Sequence, residues 1–572
     1  MSLELNAAQK SLLKIFKIEE QYIIPMYQRP YSWEYEQCFQ LYSDLMENFS
    51  SDESGSFQDY FLGNVIIAKS FENSETLEVV DGQQRLTSLL LIIKVLSVFQ
   101  PNLTVLKEIL EKKDWEGNVT GFSINTLVKE TDDEKSLKKV LKYSKEEFEN
   151  REKILRDKNN NLKEKDCESR FEMNIFYFYG WFKEYHKVKS LGEFTKYLLN
   201  NVFMLPIELS GQTQLEARNK ALKIFETINN RGMNLNDADI FKARLYEKAE
   251  KIKEEKLFIE SWTKLRENCD ELGIEIDDLF RYYTHIIRGK YSITSNEINL
   301  RKFFTEKDYS PLVVKKYKEV LSDLYDIVMI LDFIKIETKR ETPLAIWLQL
   351  IEVYTNQYPK NLLVVYLFKH KKEFMFMATL SMSSGDKTND QYQYFENVFT
   401  KNLTNFLEAV VRYIYYHGST TKIKFDVYSM IRDISNDKPI ESYYKELKPE
   451  YFDYLGSLKS GYALLAYYVD KQKALENYTV DKIVQYKDKA VLMAEYGWSE
   501  QEVDEMINSL GNHIVLDLPK KNLPLLKKLE YLKESNLDST QELQSDEISY
   551  SFIKKRDIKL KQKLVRFFQG DV

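Results

Sequence analysis

The chain has 572 residues and a mass of 68.0 kDa, is 43% hydrophobic and 30% charged, and contains only 18 Gly and 11 Pro. This predicts two to four well-folded, helix-rich domains with sizeable cores, which the strand and helix patterns below place in the α+β class, and excludes a disordered or fibrous chain. The net charge of −7 supplies no global basic field, so it argues against a passive DNA-coating protein and confines any nucleic-acid surface to a local patch.

Residues 12–34 read as a short helix followed by an extended YIIP stretch that runs into YQRPYSW. A helical pattern follows, with Phe39, Leu41, Leu45 and Met46 near helical spacing. FLGNVIIA (61–68) and TLEVVDG (76–82) are apolar and β-branched, and together predict a hairpin. After Gly82, QRLTSLLLIIKVLSVF predicts an apolar helix that ends before Pro101. Strand, glycine turn and helix start would aim backbone N–H groups and the positive end of a helix dipole at whatever sits above Asp81 and Gly82. The charge-dense stretch 103–170 predicts a solvated helical insertion with a flexible tip at Asn159–Asn161. NVFMLPIEL (201–209) predicts a strand, followed by a helix that Asn230-Arg231-Gly232 breaks and that Asn236 or Asp237 restarts as a cap. Residues 250–470 predict long helices rich in Tyr and Phe, whose helical spacing assigns most of the rings to core packing. The last hundred residues mix helices with one extended stretch, HIVLDLP, and close on a basic helix in which Ile553, Leu560, Leu564 and Phe568 share helical spacing.

Cys38, Cys167 and Cys269 have no metal-ligand spacing, and the five His form no HxH or HxxxH pair, which predicts reduced thiols and no zinc site. The opening residues lack the basic start and cleavage site of a signal peptide, and no apolar run reaches membrane-spanning length. A cytoplasmic protein without a membrane partner is therefore expected.

Two segments carry the chemistry. Gln28-Arg29-Pro30-Tyr31 and Asp81-Gly82-Gln83-Gln84-Arg85 each set Gln and Arg beside a turn residue. Two guanidiniums with nearby amides suit a polyanion, because the Arg fork matches phosphate oxygens. Asp81 could hold Mg²⁺ and Arg85 could pair with phosphate; alternatively, Asp81 caps the following helix and Arg85 makes a surface ion pair. A third, polar segment around Gly232 (Asn229, Asn230, Arg231, Asn234, Asn236, Asp237, Asp239) suits the capping of two helices, with an edge contact to a ligand as the other reading.

In order, IPMYQRPYSW, FLGNVII, EVVDGQQRLTSLLLI and IFETINNRGMNLNDADIFKARL resemble the N-terminal domain of the GmrSD family of modification-dependent (type IV) restriction proteins, a domain also found in phosphorothioate-sensing phage-defence nucleases. The resemblance covers about residues 10–245. It implies a ParB/sulfiredoxin-like α/β fold that binds and hydrolyses nucleoside triphosphate with Mg²⁺ or another divalent cation. It also implies catalytic roles for Gln28, Arg29, Asp81 (also the metal ligand), Gln84 and Arg85, and nucleotide contacts from Tyr31, Gly82, Gln83 and Thr87. A helical middle would fill 246–470. The final stretch, 471–572, resembles the family's partner domain, a small α+β nuclease of the His-Asn-His type: Asp481-Lys482, Leu510-Gly511-Asn512, Asn522 and Ile553-Lys554-Lys555-Arg556 follow its skeleton. Lys482 stands where that pattern places its His. An ordinary lysine is protonated at neutral pH and cannot take a proton from water, so a degenerate nuclease site is expected. His513 beside Asn512 is a replacement base in one reading and a structural or solvent-facing His in the other. The basic tail (Lys554, Lys555, Arg556, Lys559, Lys561, Lys563, Arg566) is the expected DNA-phosphate patch, or else a solvated helix face.

These readings converge on a defence protein with DNA, in modified form, and nucleoside triphosphate as partners, and with a separate nuclease or a second copy as a further partner. The alternatives are a non-catalytic modified-DNA sensor that recruits a separate nuclease, and an active modification-dependent endonuclease.

Overall fold

The computed structural model describes residues 6–49, 57–72, 75–128, 132–187, 189–229, 237–374, 390–418, 423–438, 448–453, 458–545 and 548–569. Two compact units make up the chain, Met1–Lys264 and Leu265–Val572. The expected boundary near 245 falls inside the first, and the ranges 246–470 and 471–572 meet in the second.

The first unit runs β1 (Asn6–Ala7), β2 (Lys10–Ser11), α1 (Leu12–Phe16), β3 (Gln21–Ile24), α2 (Tyr35–Glu47), β4 (Tyr60–Ser70), β5 (Thr76–Asp81), α3 (Gln83–Phe99), α4 (Thr104–Leu110), β6 (Glu111–Lys113), β7 (Val119–Phe122) and β8 (Ile124–Thr126). It continues through α5 (Asp133–Lys142), α6 (Lys145–Leu155), α7 (Arg170–His186), α8 (Leu191–Asn200), β9 (Val202–Gly211), α9 (Gln214–Asn229) and α10 (Asp237–Glu250). One mixed sheet has the order β1-β9-β4-β5-β3-β8, with β2 also on β9. The predicted hairpin is present: β4 and β5 are antiparallel, with Ile66 opposite Asp81. β3 lies parallel to β5, Gln21 opposite Thr76, so the carboxyl ends of both strands open on the same edge. The expected apolar helix is α3, and nearly all of it is buried. It threads the middle of a core shared by the sheet, α7 and α8. A helix apolar on every side has no face for water and must be enclosed.

The stretch 103–170 departs from the expected solvated insertion. β8 pairs with β3 and closes one edge of the sheet. Leu137, Val140, Phe148 and Leu155 enter the core from α5 and α6. The charged residues of this stretch occupy the outer faces of amphipathic helices and mask the spacing of the apolar ones. Its tip is a hydrogen-bonded turn: Asp157 Oδ1 accepts from the backbone N–H of Asn159 and Asn161, each at 2.8 Å.

The second unit is helical through Ile276–Lys290, Tyr317–Glu337, Pro343–Glu352, Tyr358–Lys369, Asp390–His417, Ile423–Ser435 and Lys459–Tyr468. Tyr283, Tyr415, Tyr428 and Tyr462 are buried there, as their spacing predicts. β10 (Thr479–Lys482) and β11 (His513–Leu516) then pair antiparallel, and the helix Tyr550–Gln569 follows. That last helix joins the earlier ones: Lys561 pairs with Asp453, Arg412 donates to the Phe567 carbonyl, and Phe568 stacks on Phe452. Among the described residues no helix is long and apolar enough to cross a membrane.

Candidate functional site

Because β3 and β5 are parallel neighbours, the loop after β3 and the turn after β5 emerge side by side. Ligands of α/β sheets sit in that position, outside the carboxyl ends of parallel strands. Side-chain amides tie the two segments together. Gln83 Nε2 donates to the Arg29 carbonyl (3.3 Å) and Gln84 Nε2 to the Pro30 carbonyl (3.0 Å). Gln84 Oε1 accepts from the Ser32 backbone N–H (2.9 Å), and Gln28 Nε2 donates to the Val80 carbonyl (2.8 Å). From α10, Lys242 Nζ donates to the Gln28 carbonyl (3.2 Å).

Gly82 caps α3 in the left-handed region (φ +88°), and a Cβ there would press on Val65 Cγ2 at 3.1 Å and the Asn64 carbonyl at 3.3 Å. The first turn of α3 has no acidic residue of its own, and Asp81 just before it is the carboxylate at the positive end of its dipole. Burial raises the Asp81 carboxyl above its usual range, opposed in part by the Gly82 backbone N–H and by the charges of Arg85 and Arg29. Arg85 is itself lowered by burial and donates to the Asn64 carbonyl (3.3 Å). Among the described residues neither guanidinium is locked in a direct ion pair, so the locality holds two arginines to one carboxyl.

The expected site residues divide into two groups. Gln28, Arg29, Asp81, Gly82 and Arg85 are half-buried and keep accessible surface. Tyr31, Gln83 and Thr87, expected as nucleotide contacts, and Gln84, expected as catalytic, are buried. Tyr31 shares a hydrogen bond with Ser88 Oγ (2.6 Å) and accepts from Asn174 Nδ2 (3.1 Å), while its backbone N–H donates to Asp133 (2.9 Å). The glutamine amides satisfy loop backbone that would otherwise be orphaned. The polar segment at 230–236 lies outside the described residues.

Sequence reasoning missed the support beneath the loop. Glu78, buried in β5, accepts from Tyr27 Oη (2.7 Å), from Gln214 Nε2 (3.0 Å) and from Arg218 through both Nε (2.6 Å) and Nη2 (2.8 Å). Arg218 also reaches Glu250 (2.6 Å) and lies over the rings of Tyr27 and Tyr246. The signal was available: a glutamate inside the apolar strand TLEVVD needs a buried cation.

The polyanion expected here fits the residues present, with two guanidiniums beside a helix start. A divalent cation fits on narrower terms. Among the described residues no group of three or more His, Cys, Asp or Glu could hold a metal ion, so Asp81 would be its one carboxylate and phosphate and water would complete the shell.

In the second unit Asp481, Lys482 and His513 line one cavity of about 430 Å³, whereas Asn512 and Asn522 are not in its lining. Asn512 is fully buried, donating to the Val484 (2.9 Å) and Ile507 (2.8 Å) carbonyls and accepting from Val484 N–H (2.9 Å), so it is a structural staple. Asp481 is buried toward Lys528, whose Nζ lies 3.1 Å away but without hydrogen-bond alignment. Asn522 is exposed and bonded to Lys487. Lys482 Nζ donates to Asn508 Oδ1 (3.0 Å), and burial followed by the Lys520 charge lowers its pKa. Directly across the strand pair stands His513, buried, with Nδ1 against the Ser509 carbonyl (2.9 Å) and its pKa pushed down to about 4 by burial.

In the basic tail most charges are engaged within the chain. Arg556 and Lys561 are buried, Arg556 donating to the Gly511 (2.5 Å) and His513 (2.6 Å) carbonyls and Lys561 pairing with Asp557 (2.5 Å). Lys554, Lys559 and Lys563 pair with Glu505, Glu542 and Asp470. Among the six lysines and arginines at 554–563, Lys555 alone is in none of these pairs. Intramolecular carboxylates thus neutralise most of the charge that a phosphate backbone would need. Gly511 fits where a Cβ would fall 2.3 Å from the Ile553 carbonyl, which seats the Leu-Gly-Asn turn on the last helix.

Residues 12–246 match the family described as the GmrSD restriction endonuclease, N-terminal domain. The matched stretch lies within the first unit and holds the two arginine-bearing turns. No curated protein matches the chain.

Proposed function

We propose that this GmrSD-related chain is a restriction-type defence protein. Its first unit binds and hydrolyses a nucleoside triphosphate, the protein targets DNA, in modified form, and its second unit does not cut that DNA alone. The observation that carries the first half is the meeting of the Arg29 and Arg85 turns around Asp81 at the carboxyl ends of β3 and β5. Arg29 and Arg85 would neutralise phosphate charge, and the α3 N-terminus would add N–H donors. Asp81 would orient the attacking water or hold the divalent cation, which supplies charge neutralisation at the phosphates when bound. The amides of Gln28, Gln83 and Gln84 hold the arginine loop in register, a positioning role in place of the catalytic roles of Gln28 and Gln84 and the nucleotide contact of Gln83 that the resemblance implies.

The second half rests on Lys482 in the place of a base and on the buried, low-pKa His513 opposite it. The test combines purified protein, Mg²⁺, several triphosphates, and plain or modified DNA. Phosphate release with intact strands is expected. Strand cuts that vanish on Lys482→Ala or His513→Ala would replace this reading with an active endonuclease.

One observation favours a non-hydrolysing sensor: with the glutamine amides engaged on backbone, Asp81 is left as the one side chain there suited to activating water. Triphosphate binding without phosphate release would establish that version.

A further inference from the structure

The unit Leu265–Val572 holds a cavity of about 540 Å³ between the helices Tyr317–Glu337, Pro343–Glu352 and Tyr358–Lys369 and the segment 476–478. The size is ordinary for a small-molecule pocket. Leu331, Ile334, Leu348, Ile351 and Leu363, all buried, give it an aliphatic floor. Lys335, Lys339 and Lys360 line it together with Glu352 and Glu476, one more cation than anions.

Two polar groups in this lining lack partners among the described residues. Asn356 Oδ1 accepts from Tyr358 N–H (3.0 Å), but its Nδ2 is buried without an acceptor. Lys360 is in no ion pair; burial lowers its pKa, and only the charge of Glu352 acts the other way. Glu352 is meanwhile engaged by the Tyr478 hydroxyl (3.3 Å). A buried donor without an acceptor needs explaining in a folded protein, and a half-desolvated ammonium favours an anion. Apolar floor, orphan donor and unpaired cation together define the occupant.

We propose that this cavity binds a small amphipathic anion, its acidic group on Lys360 and Asn356 Nδ2 and its apolar body on the aliphatic floor. The site is separate from the proposed triphosphate site and does not depend on it. Anion binding favours the charged form of Lys360, so affinity falls as pH rises through the lysine's titration.

Full-length protein is titrated with two fluorescent probes: anilinonaphthalene sulfonate, and phenylnaphthylamine, which has a similar body without the charge. Each should saturate at a single site. Lys360→Met should weaken the sulfonate about tenfold or more while moving the neutral probe less than about twofold. Asn356→Leu, melting as the parent does, should weaken the sulfonate in the same sense and serves if the first variant fails to fold. Binding that does not saturate, or sulfonate affinity unchanged in both folded variants, overturns the proposal.

Discussion

Arg85 leaves the first turn of α3 and reaches back to the bulge of β4, where Gly63 (φ +116°) makes room for it: a Cβ there would fall 2.8 Å from Arg85 Nη1. Arg85→Ala should abolish triphosphate turnover while leaving the melting transition nearly unchanged; undiminished phosphate release from a folded variant removes Arg85 from the site. Gly63→Ala, forced into a left-handed backbone, should cost about 1–3 kcal/mol by denaturant titration and also weaken triphosphate binding. Beneath the loop, Arg218→Ala would strand Glu78 as a buried charge and should cost about 3–5 kcal/mol. The double variant Glu78→Gln/Arg218→Met should recover much of that loss. Asp81 adds a pH signature. Its carboxyl is raised by burial, and protonating it removes negative charge beside the phosphates. Metal-free triphosphate binding should therefore strengthen as pH falls through the Asp81 titration, and Asp81→Asn should flatten that dependence in calorimetric titrations.

At the scale of elements, the decisive relation is the strap between the start of α3 and the loop after β3. Gln84 both donates to Pro30 and accepts from Ser32, so it fixes the loop that carries Arg29. Gln84→Ala leaves a backbone donor and an acceptor unsatisfied and should cost about 1–3 kcal/mol. It should also raise the triphosphate Kd, an effect that Gln40→Ala on the exposed face of α2 should not produce. The β10–β11 pair is an analogous case: Asn512 staples it to the preceding helix, and Arg556 of the last helix closes over it. The Leu-Gly-Asn and Ile-x-x-Arg motifs do meet, but as a scaffold.

For the whole molecule, the two compact units should answer acid differently. His285 and His513, both in Leu265–Val572, are pushed down to about 4 by burial from an ordinary 6.5. A depressed histidine stabilises the fold above its unfolded pKa, and that stability is lost as pH falls through the folded value. Each should therefore withdraw up to about 1.4 kcal/mol per pH unit between roughly 6.5 and 4. Asp81, in Met1–Lys264, is raised and runs the other way, favouring the fold at low pH. Calorimetry from pH 7 to 4 should show the transition of the second unit moving down first, and His513→Gln should lessen that movement.

Periodicity in the residues alone determined the β4–β5 hairpin, the enclosed helix after Gly82, the strand at NVFMLPIEL and the terminal helix, because each is written in neighbouring side chains. Composition likewise specified a helix-rich chain. What tertiary structure decided was which polar groups remain available. Gln83 and Gln84 find backbone partners more than fifty positions away, and Glu78 finds Arg218 across the sheet. The tail lysines and Arg556 meet carboxylates and carbonyls brought to them by folding. A hydrogen bond or ion pair forms wherever the fold delivers a complementary group, whatever its distance along the chain. Residue type can therefore nominate a site, but burial and long-range pairing decide which of its members still face a ligand.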